Sequence, residues 1–173
     1  MFKDYIKLLD KIDSFTEGVR KRHPESFECA PGCSGCCVAG ITVWRVEADH
    51  IRKCAGPLGE RTASASGDRC SRLNDEGLCS IYQARPAVCR LWGAALLIPK
   101  GREGEWGLRP SSTAHASEGA ITCCSLNFRE GVKLSELPSS DLINAETAVS
   151  TLAAINHVYC KAMGLDPTER LAV

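Results

Sequence analysis

This chain of 173 residues has few aromatic residues and no formal net charge. Aromatics make up 6% of the sequence, so its apolar core must be built largely from Leu, Ile, Val, Ala and Cys. Lys and Arg together number 21, as do Asp and Glu, which leaves a formal net charge of zero. Nucleic-acid-binding proteins usually carry a basic excess or a basic stripe. We therefore expect no nucleic-acid partner.

Long apolar runs are missing as well. A membrane-spanning helix needs about 20 consecutive apolar residues, and no stretch of this sequence provides them. Residues 1–15, MFKDYIKLLDKIDSF, are interrupted by charge and lack the apolar segment of a secretory signal. We therefore expect no membrane association and a cytoplasmic location, where disulfides are rare.

Apolar periodicity predicts two long helices. The first covers residues 3–22 and ends at His23-Pro24, because a residue before proline avoids the helical region. The second covers residues 140–164, with Ser139, Ser140 or Asp141 as its cap and Gly164 as its end. The predicted apolar face of the first helix consists of Phe2, Ile6, Leu9, Ile12, Phe15 and Val19.

Shorter elements are predicted between these helices. Residues 47–55 and 81–91 suit short helical segments, and the second of these restarts at Pro86. Residues 94–98 and 105–108 resemble the two strands of a small hairpin. The predicted fold is mainly α with a small β-hairpin, and irregular cysteine-rich loops are organised around a metal centre. We expect a single metal-binding domain over residues 1–173, with its cysteine-cluster region at 29–124.

Cysteine is the residue type that this sequence has in excess, with 11 copies. In a reducing compartment, such clusters are more often metal-binding or catalytic than disulfide-bonded. Cys54 and Cys160 occupy helical positions and are predicted to be core residues. The nine others fall in three blocks and are the candidate metal ligands: Cys29, Cys33, Cys36, Cys37, Cys70, Cys79, Cys89, Cys123 and Cys124.

Disulfide pairing within the two cysteine doublets conflicts with backbone geometry. Neighbouring Cα atoms lie about 3.8 Å apart across a trans peptide, whereas disulfides usually span about 4.4–6.8 Å. Cys36-Cys37 and Cys123-Cys124 are such neighbours. Gly32 and Gly35 allow the backbone to curl several sulfurs toward one centre, so metal ligation is the favoured interpretation.

Two kinds of metal centre are compatible with these spacings. Structural zinc sites usually combine two CxxC pairs, and Cys33-x-x-Cys36 supplies one half of that pattern. Iron–sulfur clusters often draw thiolates from a close-spaced run together with distant ones. Adjacent doublets and nine candidate thiols favour an iron–sulfur cluster with a redox or electron-transfer role, and an unknown redox or protein partner. The alternatives are a zinc-binding structural or interaction module, or a metal-dependent enzyme of unknown reaction.

Two arginines and one histidine accompany the cysteine blocks. Guanidinium groups at Arg85 and Arg90 could compensate the negative charge of thiolates, or they could form ordinary surface ion pairs. His115 is the histidine closest in sequence to a cysteine block. No Ser/His/Asp grouping or carboxylate pair is evident, so the sequence identifies no catalytic residue.

The cysteine motifs resemble those of a known family. The stretches that carry the resemblance are CAPGCSGCC at 29–37, GLCSIYQARPAVCRLWG at 77–93, and a late cysteine at 123 or 124. The second stretch follows the pattern CxIYxxRPxxCR. The chain resembles the CxxCxxCC family of zinc- or iron-chelating cysteine-cluster proteins over about residues 29–124. This resemblance implies metal chelation without a settled reaction. The first gap has three residues where the family name implies two.

Overall fold

The computed structural model describes residues 1–30, 32–56, 69–102, 112–116 and 119–173. Its helices are α1 (Lys3–Arg22), α2 (Arg45–Ala55), α3 (Ala87–Leu91) and α4 (Ala145–Met163). Its strands are β1 (Thr42–Trp44), β2 (Leu96–Pro99), β3 (Ser112–Ala116), β4 (Gly119–Cys123), β5 (Ile143–Asn144) and β6 (Arg170–Ala172). Short 3-10 turns lie at Pro24–Ser26, Tyr82–Ala84, Leu134–Glu136 and Ser139–Asp141.

These elements form two compact units, each assembled from separate stretches of the chain. Unit 1 consists of Met1–Leu8, Ala30–Cys89 and Leu152–Val173. Unit 2 consists of Leu9–Cys29 and Arg90–Thr151. The expectation of one metal-binding domain stays a prediction. A mainly helical fold with small sheets is confirmed.

Helix α1 has the predicted bounds, because the chain leaves the helix at His23 and enters a 3-10 turn at Pro24. One position of its predicted apolar face is wrong. Ile6 is 43% exposed, and Tyr5 is fully buried in its place. The ring of Tyr5 packs edge-on against the ring of His50, with centroids 5.2 Å apart.

In unit 1, strands β1 and β6 form an antiparallel pair that places Val43 opposite Leu171. Helix α2 follows β1 directly and buries Val46 and Ile51. The first turn of α2 is fixed by Asn156, whose Oδ1 accepts a hydrogen bond from the backbone N–H of Val46 at 3.1 Å. These contacts connect chain segments more than 100 residues apart.

Helix α4 begins at Ala145 rather than at residue 140. The predicted capping residues Ser139, Ser140 and Asp141 form a 3-10 turn instead. Asn144 caps the helix, since its Oδ1 accepts a hydrogen bond from the backbone N–H of Thr147 at 2.9 Å.

Unit 2 contains a four-stranded sheet in the order β3-β4-β2-β5. Strand β4 pairs antiparallel with both β3 and β2, and β2 pairs parallel with β5. The core beside this sheet is formed by buried residues at Ala95, Ile121, Cys123, Leu134 and Leu137. The predicted strand at 94–98 is confirmed in β2, whereas the predicted strand at 105–108 lies outside the described residues. Strands β3 and β4 form a hairpin that was not predicted from the sequence.

Candidate metal centre

The predicted ligands are divided between the two units. Unit 1 contains Cys33, Cys36, Cys37, Cys70, Cys79 and Cys89. Unit 2 contains Cys29, Cys123 and Cys124.

The first cysteine loop of unit 1 is a series of tight turns. The backbone N–H of Cys37 donates to the carbonyl of Ser34 at 2.9 Å, and that of Cys33 donates to Ala30 at 3.0 Å. Gly40 closes the loop at φ +78°, a conformation that favours glycine. The consecutive residues Cys36 and Cys37 therefore lie in turns, outside any helix or strand.

Backbone hydrogen bonds connect this loop to the second cysteine block. The N–H of Cys70 donates to the carbonyl of Cys37 at 2.9 Å, beside a bridge between Val38 and Arg69. A second bridge joins Leu73 to Cys79. Cys37, Cys70 and Cys79 are therefore brought together by main-chain contacts from three positions along the sequence.

A tight turn lies between Cys70 and Cys79. The side-chain Oδ1 of Asn74 accepts hydrogen bonds from the N–H groups of Glu76 and Leu78, at 3.1 and 2.8 Å. Gly77 adopts φ +76°, and its N–H donates to the carbonyl of Asn74 at 3.0 Å. This turn reverses the chain so that Cys79 returns toward Cys70.

Helix α3 carries Cys89, and a buried carboxylate fixes the start of this helix. One oxygen of Glu47 accepts the N–H of Ala87 at 3.0 Å, and the other accepts the N–H of Trp44 at 2.9 Å. Burial raises the pKa of Glu47, and the two backbone hydrogen bonds oppose that rise. Glu47 thereby connects the first turn of α2 to the helix that positions Cys89.

Four sulfurs of unit 1 lie within one another's electrostatic influence. They belong to Cys37, Cys70, Cys79 and Cys89, and each pair among them interacts. Burial raises the pKa of Cys89 to about 12, and the negative charges of Cys70 and Cys79 add to that rise. The pKa of Cys37 is lowered, chiefly because the thiol of Cys36 donates a hydrogen bond to it.

Two arginines lie beside these sulfurs. The guanidinium of Arg85 stacks over the ring of Tyr82 at 4.1 Å, and its charge opposes the burial that raises the pKa of Cys79 and Cys89. Arg72 acts on Cys79 in the same direction. Arg85 lies within the CxIYxxRPxxCR pattern and was predicted, whereas Arg72 lies outside that pattern and was not. Arg90, the other predicted arginine, forms an ion pair with Asp13 in unit 2.

The three cysteines of unit 2 are grouped around Asn127, which is 1% exposed. Its Oδ1 accepts hydrogen bonds from the thiol of Cys29 at 3.4 Å and the N–H of Glu28 at 3.1 Å. Its Nδ2 donates to the carbonyl of Gly93 at 2.9 Å. Burial raises the pKa of Cys123 to about 12, with further contributions from Cys124 and Cys29. Asn127 was not predicted from the sequence, although it lies three residues after Cys124.

The two cysteines predicted to be core residues differ. Cys160 is fully buried, as predicted, and its thiol donates to Oδ1 of Asn156 at 3.5 Å. The prediction for Cys54 is wrong, because Cys54 is exposed near the end of α2. Its sulfur lies 3.6 Å from Nε2 of His50, one helical turn earlier.

Proximity of the sulfurs is not the same as a formed coordination shell. Within the described part of the chain, no group of three or more His, Cys, Asp or Glu side chains has the geometry to hold a metal ion. The predicted organisation of the loops around a metal centre is therefore not shown by the arrangement of these side chains. The side chain of His115 lies outside the description.

Comparison with known families identifies the segment that carries these thiols. Residues 28–112 match the family model of the CxxCxxCC domain, which is described as zinc- or iron-chelating. Residues 28–112 are thus similar to a CxxCxxCC domain. The match covers just under half of the 173 residues and stops before Cys123 and Cys124. Neither a curated protein nor a solved structure matches the chain.

By their donor chemistry, the residues that match the CxxCxxCC model suit a thiolate-bound metal. Thiolates are the usual ligands of both zinc and iron–sulfur centres, and the domain provides four neighbouring sulfurs. The domain also includes Arg72, whose Nε is buried and has no hydrogen-bond partner among the described residues.

In the part of the chain that the structure describes, no helix combines the length and the apolar content that a membrane span requires.

Proposed function

We propose that unit 1 binds an iron–sulfur cluster through Cys37, Cys70, Cys79 and Cys89 and has a redox or electron-transfer role. The observation that supports this proposal is the mutual proximity of the four sulfurs. Main-chain hydrogen bonds already connect three of the segments that carry them. The CxxCxxCC match supports chelation of zinc or iron by this segment.

The thiol content of unit 1 favours a cluster over a single zinc ion. Cys33 and Cys36 lie on the same loop as Cys37, so the unit has more thiols than the four that a structural zinc site requires. Cys36 and Cys37 form a doublet rather than a second CxxC pair. Bound in this site, an iron–sulfur cluster would accept and release an electron at a potential set by its surroundings.

The iron–sulfur cluster would be held by Cys37, Cys70, Cys79 and Cys89. The guanidinium groups of Arg72 and Arg85 would compensate the negative charge of these thiolates. Ligand roles for Cys29, Cys33, Cys36, Cys123 and Cys124 stay predictions, as do the cytoplasmic location and the redox or protein partner.

Anaerobic purification without added metal tests the proposal. The wild-type protein should contain iron and acid-labile sulfide in similar amounts and absorb visible light. Cys37→Ser and Cys89→Ser should each lose most of that iron, because they remove one of the four thiolates. Cys160→Ser is the matched control, since it changes a fully buried thiol outside the group and should retain its iron.

Each alternative gives a different result in the same experiment. The protein could instead contain stoichiometric zinc and show no visible absorption, even after anaerobic reconstitution with iron and sulfide. That result would identify a structural zinc module and contradict the proposed cluster. If Cys160→Ser lost metal as completely as Cys37→Ser, the assignment of ligands would be wrong.

A further inference from the structure

Arg72 has an unusual position for an arginine. Its Nε is shielded from solvent and has no hydrogen-bond partner among the described residues. A buried donor without an acceptor destabilises the fold, so buried polar groups are nearly always paired. An arginine that contributed only solubility would keep this group in water.

The main chain fixes Arg72 beside the proposed ligands. Its carbonyl accepts a hydrogen bond from the N–H of Ser80 at 2.8 Å, and the next residue, Leu73, forms a bridge with Cys79. Cys70 lies two residues before Arg72 in the same segment. The side chain of Arg72 therefore starts from a backbone position between two of the four proposed ligands.

Building on the proposed function, we infer that Arg72 is a positioning residue of the metal site, whose buried Nε–H donates a hydrogen bond to the thiolates when metal is bound. Groups that hydrogen-bond to metal ligands orient them and tune the metal, and their loss typically lowers metal affinity about 10–100-fold. The thiolates of the filled site supply the acceptor that the buried Nε lacks among the described residues. A guanidinium there also offsets negative charge, which favours the reduced state of a redox centre.

Arg69 provides a matched control for Arg72. It precedes Cys70 in the same segment and carries the same charge, but its guanidinium is exposed and donates to the hydroxyl of Ser34 at 3.3 Å. Arg69→Gln and Arg72→Gln therefore remove one identical charge from the same segment. They differ in whether a buried donor beside the thiols is lost.

The experiment measures the rate of metal release to a competing chelator from the intact, metal-loaded chain. We expect Arg72→Gln to release metal about tenfold faster than wild type or more, and Arg69→Gln to stay within about twofold. Arg72→Lys keeps the positive charge but lacks the Nε–H, so it should release metal as fast as Arg72→Gln. If the metal is an iron–sulfur cluster, Arg72→Gln should also lower its reduction potential relative to Arg69→Gln.

The possible results separate the two proposals. Equal release rates for Arg72→Gln and Arg69→Gln would overturn the inference and leave the metal site intact. If Arg72→Lys released metal at the wild-type rate, the inferred Nε–H hydrogen bond would be wrong, because positive charge alone would then be enough to retain the metal. A wild-type chain that retained neither iron nor zinc after reconstitution would overturn the proposed function together with the inference. Circular dichroism checks folding, and Arg72→Lys provides the test if Arg72→Gln does not fold.

Discussion

Asp141 is a buried carboxylate that contacts two basic side chains in unit 2. Arg22 donates to its Oδ1 from Nε at 3.1 Å and from Nη2 at 2.6 Å, and His23 Nε2 lies 2.7 Å from Oδ2. The hydrogen bond from Arg22 is the largest cause that lowers the pKa of Asp141. His23 lowers it further, whereas burial opposes both.

This lowered pKa predicts a pH-dependent contribution to stability. A carboxylate whose folded pKa lies below its unfolded value, about 3.9 for Asp, stabilises the fold fully above that unfolded value. The contribution is lost as the pH falls below about 4 and through the folded pKa. The difference in free energy of unfolding between wild type and Asp141→Asn should therefore shrink from pH 6 to pH 3, as measured by urea denaturation.

Asp10→Asn is the control for this series, because Asp10 is exposed on α1. A difference between wild type and Asp141→Asn that stays constant down to pH 3 would contradict the assigned ion pair.

At the residue scale, the sequence predicted that two cysteines lie on helices, but it did not predict correctly how buried each of them is. Cys160 and Cys54 both occupy helical positions, yet one is fully buried and the other is exposed. This difference depends on which neighbours cover each helix face, and a single helix does not encode its neighbours. Asn127 and Arg72 escaped notice for the same reason, since each acquires its role from contacts outside its own segment.

At the scale of elements, Gly119 is required where β4 begins. Its φ is +153°, and a Cβ at this position would approach the carbonyl oxygen of Ile98 to 2.0 Å. The closest atoms belong to the backbone of the neighbouring strand β2, so they cannot move aside as a flexible side chain would. We expect Gly119→Ala to destabilise the protein by about 3 kcal/mol or more, in line with the most damaging point mutations.

Gly18→Ala is the matched substitution with the opposite expected sign. Gly18 lies inside α1, where a Cβ would meet, among the described residues, only the guanidinium of Arg22 at 3.4 Å. Alanine favours the helix interior over glycine by about 0.5–1 kcal/mol, so this variant should be more stable. Chemical denaturation measures both free energies of unfolding. A small effect at Gly119 would contradict the close approach of β4 to β2.

Elements with a strong local pattern were predicted well. Helix α1 has the predicted bounds. Strands β3 and β4 were missed, because two five-residue strands give little periodic signal. The start of α4 was placed too early, since Ser139–Asp141 can cap a helix but form a 3-10 turn here.

At the scale of the whole molecule, the proposed ligands all belong to unit 1. Metal binding stabilises the state that holds the ligands together, so metal removal should loosen these segments first. After chelation, hydrogen exchange should accelerate at the amides of Cys70 and Cys89, which donate to Cys37 and Pro86 in the described structure. The amides that pair β2 with β4 in unit 2 should keep their protection.

Hydrogen exchange followed by mass spectrometry resolves these segments. Cys89→Ser, which should hold little metal, controls for effects of the chelator itself, because chelator treatment should then change its exchange little. Equal acceleration in 69–89 and in 96–99 would show that the metal stabilises the whole molecule at once, contrary to this prediction.

The grouping of the cysteines into two units could not be read from their order in the chain. Cys29 and Cys33 are four residues apart, yet they belong to different units. The same partition places residues 1–8 with residues 152–173. Such contacts between distant segments depend on the packing of the whole chain and have no local signature.

The pairing of β6 with β1 has a consequence for the order of events during synthesis. The N–H of Val173 donates to the carbonyl of Ile41 at 3.1 Å, and the hydroxyl of Ser71 donates to the carbonyl of Val173 at 2.9 Å. Residues 170–173 thus secure the segments just after Cys37 and Cys70. At about 5–20 residues per second, a ribosome adds these residues roughly 4–17 s after Cys89. During that interval all four proposed ligands have been synthesised, whereas β6, which pairs with β1, has not.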